Sequence, residues 1–211
     1  MALVYVNSAA RNNGTTSDAI LDYPSGMAAG DIAIAHVIFG GGTNVVLSNI
    51  PSGWIAVPNT RVDSTTVVGT ACYYKLLTGL ESGQVQWTLN GAQTNGGQMY
   101  VVRGGEPGAI INASNSQANA SSTNVVAPSI TTTVDGCMLI YFGSISAAAT
   151  FTPDGAMTER LDVNSAETAD QLLTTAGSTG TRTGVASSAG VNTGTLIAIA
   201  PRYPRLLLGV T

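Results

Sequence analysis

The clearest pattern in the chain is an apolar stretch at residues 31–39, DIAIAHVIF, which follows Gly30. Even positions such as Ile34 share one face of an extended chain, and odd positions such as Val37 share the other, yet both faces are apolar. A strand with two apolar faces has to be covered on both sides, as in the middle of a sandwich. The pattern therefore predicts a central, fully buried β-strand.

Other segments around this strand also have β patterns. Residues 64–77 are rich in Thr, Val and Tyr, and residues 84–89 alternate polar and apolar side chains, which indicates a strand with one face in water. Turn residues separate the segments. The further predicted strands of this part are residues 2–6, 20–23 and 98–103, with a turn-rich loop at residues 11–17.

The same pattern returns later in the chain. Asp135-Gly136 and then CMLIYFGSIS resemble Gly30-Asp31 and then IAIAHVIFGGG. Likewise PDGAMTERLDV, from residue 153, resembles PSGWIAVPNTRVD, from residue 51. Self-similarity of this kind predicts two structurally similar halves of about four strands each.

Between the two halves lies a small-polar segment, residues 105–124, that cannot form a core. It is either a crossover within one domain or a linker between two. We predict an all-β, jelly-roll-type antiparallel sandwich over residues 1–200, with halves at about 1–104 and 125–200 and the polar segment as crossover. Two separate four-stranded domains are the alternative, but each would have a thin core.

The last segment, residues 201–211, has a different character. Its two prolines prevent it from being a central strand, and its arginines and leucines make it an amphipathic, extended tail. The tail is either a terminal strand of its own domain or an arm that adds to a neighbour's sheet. The candidate subunit-contact residues are Arg202, Tyr203, Arg205, Leu206, Leu207 and Leu208.

The composition narrows the choice of partners. Only 9% of residues are charged, against about 25% in typical proteins, and the net charge is -4. Such a surface suits a protein packed against neighbours rather than a free monomer. The chain has no basic stripe for nucleic acid, no apolar run of about 18 residues for a membrane span, and no signal-peptide pattern at its start. We therefore expect neither a nucleic-acid partner nor a membrane.

Nucleophilic and metal-binding chemistry has few candidate residues. His36 is the one histidine, and its apolar flanks favour a core or interface imidazole bonded to the backbone over a catalytic base. Cys72 and Cys137 lie in apolar strand patterns, which favours two small core residues over a disulfide. Two cysteines without clustered histidines cannot make a zinc site. We expect no catalytic residue, no metal and no cofactor.

Two further sets of side chains allow a functional interpretation. Asp154, Glu159 and Asp162 lie close in sequence, but without an Asp-x-Asp run they are better interpreted as surface turns than as a calcium site. Trp54 and Trp87 could form a sugar-stacking platform, although their place in or beside strands favours core packing.

The order of several motifs resembles a jelly-roll module that is widespread in structural proteins of tailed bacteriophages. The motifs are GDIAIAHV, PSGW, YYKL, LESG, QWTL and Arg103-Gly104, followed by MTERLDV, ADQLL and TGTRTGVASS, so the resemblance covers roughly residues 2–200. The tail from Pro201 has no counterpart in this pattern.

This resemblance implies a virion structural protein without catalytic residues. Because the module makes up nearly the whole chain, it implies most directly a capsid decoration (cement) protein. Such a protein is made in the host cytoplasm and binds the major capsid protein on the outside of the phage head, as a homotrimer. The alternative is a tail- or baseplate-associated adhesin or carbohydrate-binding module, which would expose Trp54 or Trp87. A hydrolase would need a cleft with paired carboxylates.

Overall fold

The computed structural model describes residues 2–163 and 165–203, which fold almost entirely as β-structure. Their one helical element is a 3-10 turn at Gly42–Asn44. Two antiparallel sheets pack against each other, so the predicted all-β sandwich is confirmed. The strands are β1 (Val4–Asp22), β2 (Ile32–Gly40), β3 (Leu47–Asn49), β4 (Ile55–Ala56), β5 (Val62–Ser64), β6 (Val68–Leu76), β7 (Gln84–Arg103), β8 (Ile111–Ala127), β9 (Thr131–Thr132), β10 (Met138–Ile145), β11 (Phe151–Thr152), β12 (Thr158–Val163), β13 (Ala166–Leu172), β14 (Gly177–Ser178) and β15 (Arg182–Ile199).

The two main sheets have the same strand order. In the first, β1 pairs with β7, followed by β2, β6 and β4, with β3 and β5 as short additions to β7 and β6. In the second, β8 pairs with β15, followed by β10, β13 and β12, with β11 also on β15. Strands β8, β10, β13 and β15 thus take the places of β1, β2, β6 and β7. A small third sheet consists of β9 and β14.

An apolar core lies between the two sheets. The first sheet contributes Ile34 and Tyr100, and the second contributes Ile140, Phe142 and Ile197, all without exposed surface. Because burial of apolar area is the main favourable term in folding, this layer makes one body of the two halves.

Each sheet also buries its outer face, which differs from the single core expected from the sequence. Val37 and Phe39 of β2 point away from the other sheet into a cluster with Trp87. Leu139 of β10 does the same in a cluster with Val125. The prediction that β2 is covered on both sides is correct, but the second cover comes from its own half of the chain.

The outer cover is provided by long strands that fold back over their own sheet. Strands β1 and β7 pair along nearly their whole length, with three register shifts in the ladder. Such shifts bend a ribbon. Beyond them Ala19 and Leu21 reach the outer core around Trp87. The turn-rich loop predicted at residues 11–17 is therefore wrong, because most of these residues pair through their backbone with β7.

The polar segment between the halves is also a strand. Instead of a crossover at residues 105–124, most of it forms β8 along the edge of β15. Backbone ladder bonds stabilise such a strand where apolar burial cannot. The hydroxyls of Ser114 and Ser116 donate to the Pro58 and Asn59 carbonyls at 2.6 and 2.8 Å, so β8 also ties the second half to the first.

The bends of the two long ribbons contain the same asparagine pair. Asn13 Nδ2 donates to Asn95 Oδ1 at 2.9 Å, and Asn119 Nδ2 donates to Asn192 Oδ1 at 2.8 Å. Each donor amide also bonds a carbonyl seven residues further along the chain. These pairs close the bend of β1 on β7 and of β8 on β15.

A charged contact joins the two halves beside the inner core. Asp170 of β13 accepts from Tyr100 Oη at 2.6 Å and from two Arg160 nitrogens at 2.8 and 2.9 Å. The Arg160 guanidinium lies 4.2 Å from the centre of the Tyr5 ring. Burial raises the pKa of Tyr100, and the bond to Asp170 raises the pKa of Arg160. We call this set of four residues the latch.

Candidate functional site

A cleft of about 450 Å³ opens at one end of the interface between the sheets. Two glycines of β7 lie in one wall, where a Cβ on Gly96 would overlap the Arg11 carbonyl of β1 and a Cβ on Gly97 the His36 carbonyl of β2. Among the described lining residues Arg11 is the one with a charge, and its guanidinium is held by Asp22 at 2.9 Å. The cleft therefore offers backbone and amide groups for binding, and these residues include no acid–base pair.

His36 lies behind this cleft, between the two sheets. Its ring is 4.8 Å from the Phe142 ring, and burial lowers the pKa of His36 to about 3, against a smaller opposing effect of Gln98. The Gln98 amide donates to the Ala166 carbonyl at 3.0 Å and accepts from Thr168 Oγ1 at 2.7 Å. His36 is therefore a neutral interface imidazole, as expected. The expected backbone bond is absent, since neither ring nitrogen has a partner among the described residues.

The two tryptophans lie in the outer core of the first half. Trp87 has no exposed surface and Trp54 has 6%, and their rings contact each other edge to face at 5.1 Å. Tyr73 packs on Trp87 at 5.5 Å. A sugar-stacking platform needs an exposed ring face, so this placement counts against the carbohydrate-binding interpretation of these residues.

The carboxylates of the second half gather around a residue that sequence analysis missed. Glu159 is exposed, but Asp162 is half-buried and accepts the Phe151 N–H at 2.9 Å, so it is not a surface-turn residue. Directly opposite Asp162 on β13 lies Glu167, with no exposed surface. The sequence of β13, AETADQL, could have indicated this burial. Alternation along the strand places Glu167 on the same core-facing side as Ala169.

The cysteines and the described acidic groups provide no metal centre. Cys72 and Cys137 are free, buried thiols, as the core interpretation predicts, and burial raises the pKa of Cys137 to about 11. Within residues 2–163 and 165–203, no three His, Cys, Asp or Glu side chains are arranged to hold a metal ion.

The start of the C-terminal tail is anchored on its own chain. The Arg202 N–H donates to the Gly104 carbonyl at 2.8 Å, and Tyr203 Oη donates to the Asp135 carbonyl at 2.7 Å. The remaining contact candidates, Arg205, Leu206, Leu207 and Leu208, lie outside the described residues, so the predicted arm stays a prediction.

A groove of about 470 Å³ lies at the edge of the first sheet. Ile55 of β4 and Leu76 of β6 line it with 54% and 38% of their surface exposed, and Pro107 forms the opposite wall. At the matching edge of the second sheet, Leu172 and Tyr203 line a groove of about 290 Å³. We call these the first and second edge grooves.

Comparisons with protein-family models, curated proteins and solved structures found no match to this chain. Among the described residues, no helix is long and apolar enough to cross a membrane. Functional inference therefore depends on the motifs of this chain and on the surfaces described above.

Proposed function

We propose that the chain is a virion structural protein: a capsid decoration (cement) protein that binds the major capsid protein on the outside of a phage head as a homotrimer. The motif order that resembles the phage module supports this proposal. The single observation that carries it is the pair of edge grooves, which expose apolar side chains on a body with few charges.

The two grooves occupy equivalent places on the two sheets. Leu76 pairs with Ile32, the first residue of β2, and Leu172 pairs with Met138, the first residue of β10. One copy thus exposes apolar side chains at two equivalent places. A protein with two such edges can contact two neighbours at once, which suits a lattice of repeated subunits.

This geometry explains how the chain would stabilise an assembled capsid. Each apolar edge contributes roughly 25 cal/mol per Å² that it buries, and many modest contacts across neighbouring subunits add to a large total. A protein that binds the assembled shell and not its separated subunits shifts the equilibrium toward the shell. The low charge reduces the cost of removing ionic groups from water at such a contact.

The proposal is tested on phage particles produced with and without this chain. Particles without it should lose their genome at a lower temperature, and purified protein added back should restore the resistance. The double variant Ile55→Asp, Leu76→Asp should fold but restore little. The matched control is Leu80→Asp, at a loop residue that is 87% exposed and outside the groove.

Two results would overturn this proposal. One is heat resistance that does not depend on the chain. The other is an image of the particle with the protein on the tail and none on the head, which would favour the tail or baseplate alternative.

A further inference from the structure

Glu167 is enclosed without a hydrogen-bond donor. It lies on the face of β13 that points into the outer core of the second half and has no exposed surface. Neither carboxyl oxygen has a hydrogen-bond partner among the described residues. Gly184 of β15 lies directly against it, since a Cβ at Gly184 would overlap Glu167 Oε2 and crowd Tyr141 Oη. The carboxyl group is therefore sealed in by the backbone of β15.

The acidic neighbours of Glu167 make its ionised form less favourable still. Asp162 is its direct partner across the β12–β13 ladder, Glu159 lies on the same strand as Asp162, and Asp154 lies in the turn before it. Negative charge on these neighbours repels a charge on Glu167, and the burial of Glu167 reduces the screening by water.

Most of the remaining polar groups around this carboxyl are engaged elsewhere. Tyr141 Oη donates its proton to the Val125 carbonyl at 2.7 Å. Arg182 of β15 is the nearby cation. Its two Nη atoms donate to the Thr179 carbonyl at 2.6 Å and to Gln171 Oε1 at 2.8 Å. Its Nε has no hydrogen-bond partner among the described residues and lies 3.9 Å from Asp154 Oδ1, so its ion pair is with Asp154. No cation therefore pairs with Glu167 within the described residues.

We propose that Glu167 is an alkaline switch: its neutral form keeps the outer layer of the second half closed, and loss of its proton loosens the part of β15 around Gly184 together with β11. An ionised carboxylate needs water or donors, and the Gly184 backbone that lies directly against it would have to move to admit them. This inference does not depend on the proposed function.

The direction of the pH effect follows from the environment of Glu167. Burial, with smaller effects of Glu159, Asp162 and Asp154, raises the pKa of Glu167 from 4.5 to about 8. The folded chain therefore retains a proton that the unfolded chain loses. The stabilisation is full below about pH 4.5 and is lost as the pH rises through about 8.

Glu167→Gln tests this switch, because the amide has nearly the same shape and cannot ionise. We expect the unfolding midpoint of the wild type to fall by about 5 °C or more from pH 6 to pH 9.5, and that of the variant by less than half as much. Hydrogen exchange at Gly184 and Phe151, corrected for the intrinsic rate, should rise with pH in the wild type alone. The control Glu159→Gln, at the exposed neighbour, should keep most of the wild-type slope.

Three results would overturn the switch. The first is an equal pH slope in Glu167→Gln and the wild type. The second needs no variant: an NMR titration of the Glu167 carboxyl carbon in the wild type with a midpoint below pH 6. The third is a rise in the unfolding midpoint of the wild type at pH 9.5 on addition of millimolar Ca²⁺, with no such rise for Glu167→Gln. That result would show that Glu167 and its acidic neighbours form a cation site instead.

Discussion

The outer cores of the two halves use the same strand arrangement but differ in chemistry. In the first half Trp54, Trp87 and Tyr73 fill the layer with packed aromatic rings. In the second half the corresponding layer contains Tyr141 and the enclosed Glu167. Aromatic packing stabilises the first half at every pH, whereas the cost of burying the unpaired Glu167 carboxyl becomes larger once it loses its proton.

The pairing of the strands shows that the enclosed acid of the second half has a single equivalent position in the first half. Ala71 pairs with Val37, and Glu167 pairs with Gly143 at the same position along the central strand. A small apolar residue in one half is thus matched by an acid in the other. The strand order tolerates both, because the ladder and the inner core, rather than this position, determine the fold.

The largest expected loss of stability comes from removing a ring from the aromatic layer of the first half. Trp87→Ala should lower the free energy of unfolding by about 3–5 kcal/mol, because it leaves a large cavity beside Trp54 and Tyr73. Urea denaturation followed by circular dichroism measures the change. Tyr203→Ala, at a half-exposed ring, is the control and should cost far less. A loss below about 1 kcal/mol for Trp87→Ala would contradict the assignment of this core.

Breaking the latch should have the next largest effect. Asp170→Asn removes the charge that Arg160 faces and weakens the bond from Tyr100, at a cost of about 2–3 kcal/mol. Asp22→Asn, in the more exposed pair with Arg11, should cost less than about 1 kcal/mol. The same denaturation assay checks both variants, and equal losses would show that the latch contributes no more than a surface ion pair.

Alanine substitution of two glycines, one in each half, tests how tightly the outer core of each half is packed. A Cβ on Gly69 would overlap the Phe39 ring and the Asp63 carboxylate, and a Cβ on Gly184 would overlap Glu167. Each alanine variant should therefore lose about 1–3 kcal/mol by overpacking. Thermal unfolding at pH 6 measures both. A neutral Gly184→Ala would show that β15 does not lie tightly over Glu167.

The smallest expected effects are at the two ribbon bends. Asn13→Ala and Asn119→Ala each remove two donated hydrogen bonds of the same geometry, and one that Oδ1 accepts from Arg11 Nε or from Gln117 Nε2, which should cost about 1–2 kcal/mol. Because the two donated bonds match and only the accepted bond differs, the two losses should agree within about 1 kcal/mol. A clear difference between them would show that the bends are not equivalent.

The apolar strands could be predicted from the sequence because their pattern leaves little choice. The run DIAIAHVIF and its later counterpart CMLIYFGSI identified β2 and β10, and the echo between them predicted two similar halves. The long polar strands β1 and β8 could not be found this way. Their side chains are small and polar, and they are held by ladder bonds to β7 and β15 that no local pattern encodes.

The site residues also divide into those that a local sequence pattern predicts and those that depend on the tertiary structure. His36 was placed correctly inside the protein because its neighbours in sequence are apolar, but the lack of a bonding partner for it depends on the second sheet. Glu167 was missed because an acid in a strand normally faces water. Its burial results from the return of β15 over β13, which only the tertiary arrangement reveals.

Calorimetric unfolding of the whole chain at pH 6 tests most directly whether the two differently filled halves form one body. The shared inner core and the latch predict a single transition whose calorimetric and van't Hoff enthalpies agree. Two separate transitions, or a van't Hoff enthalpy near half of the calorimetric value, would show that the halves fold independently and would contradict the account.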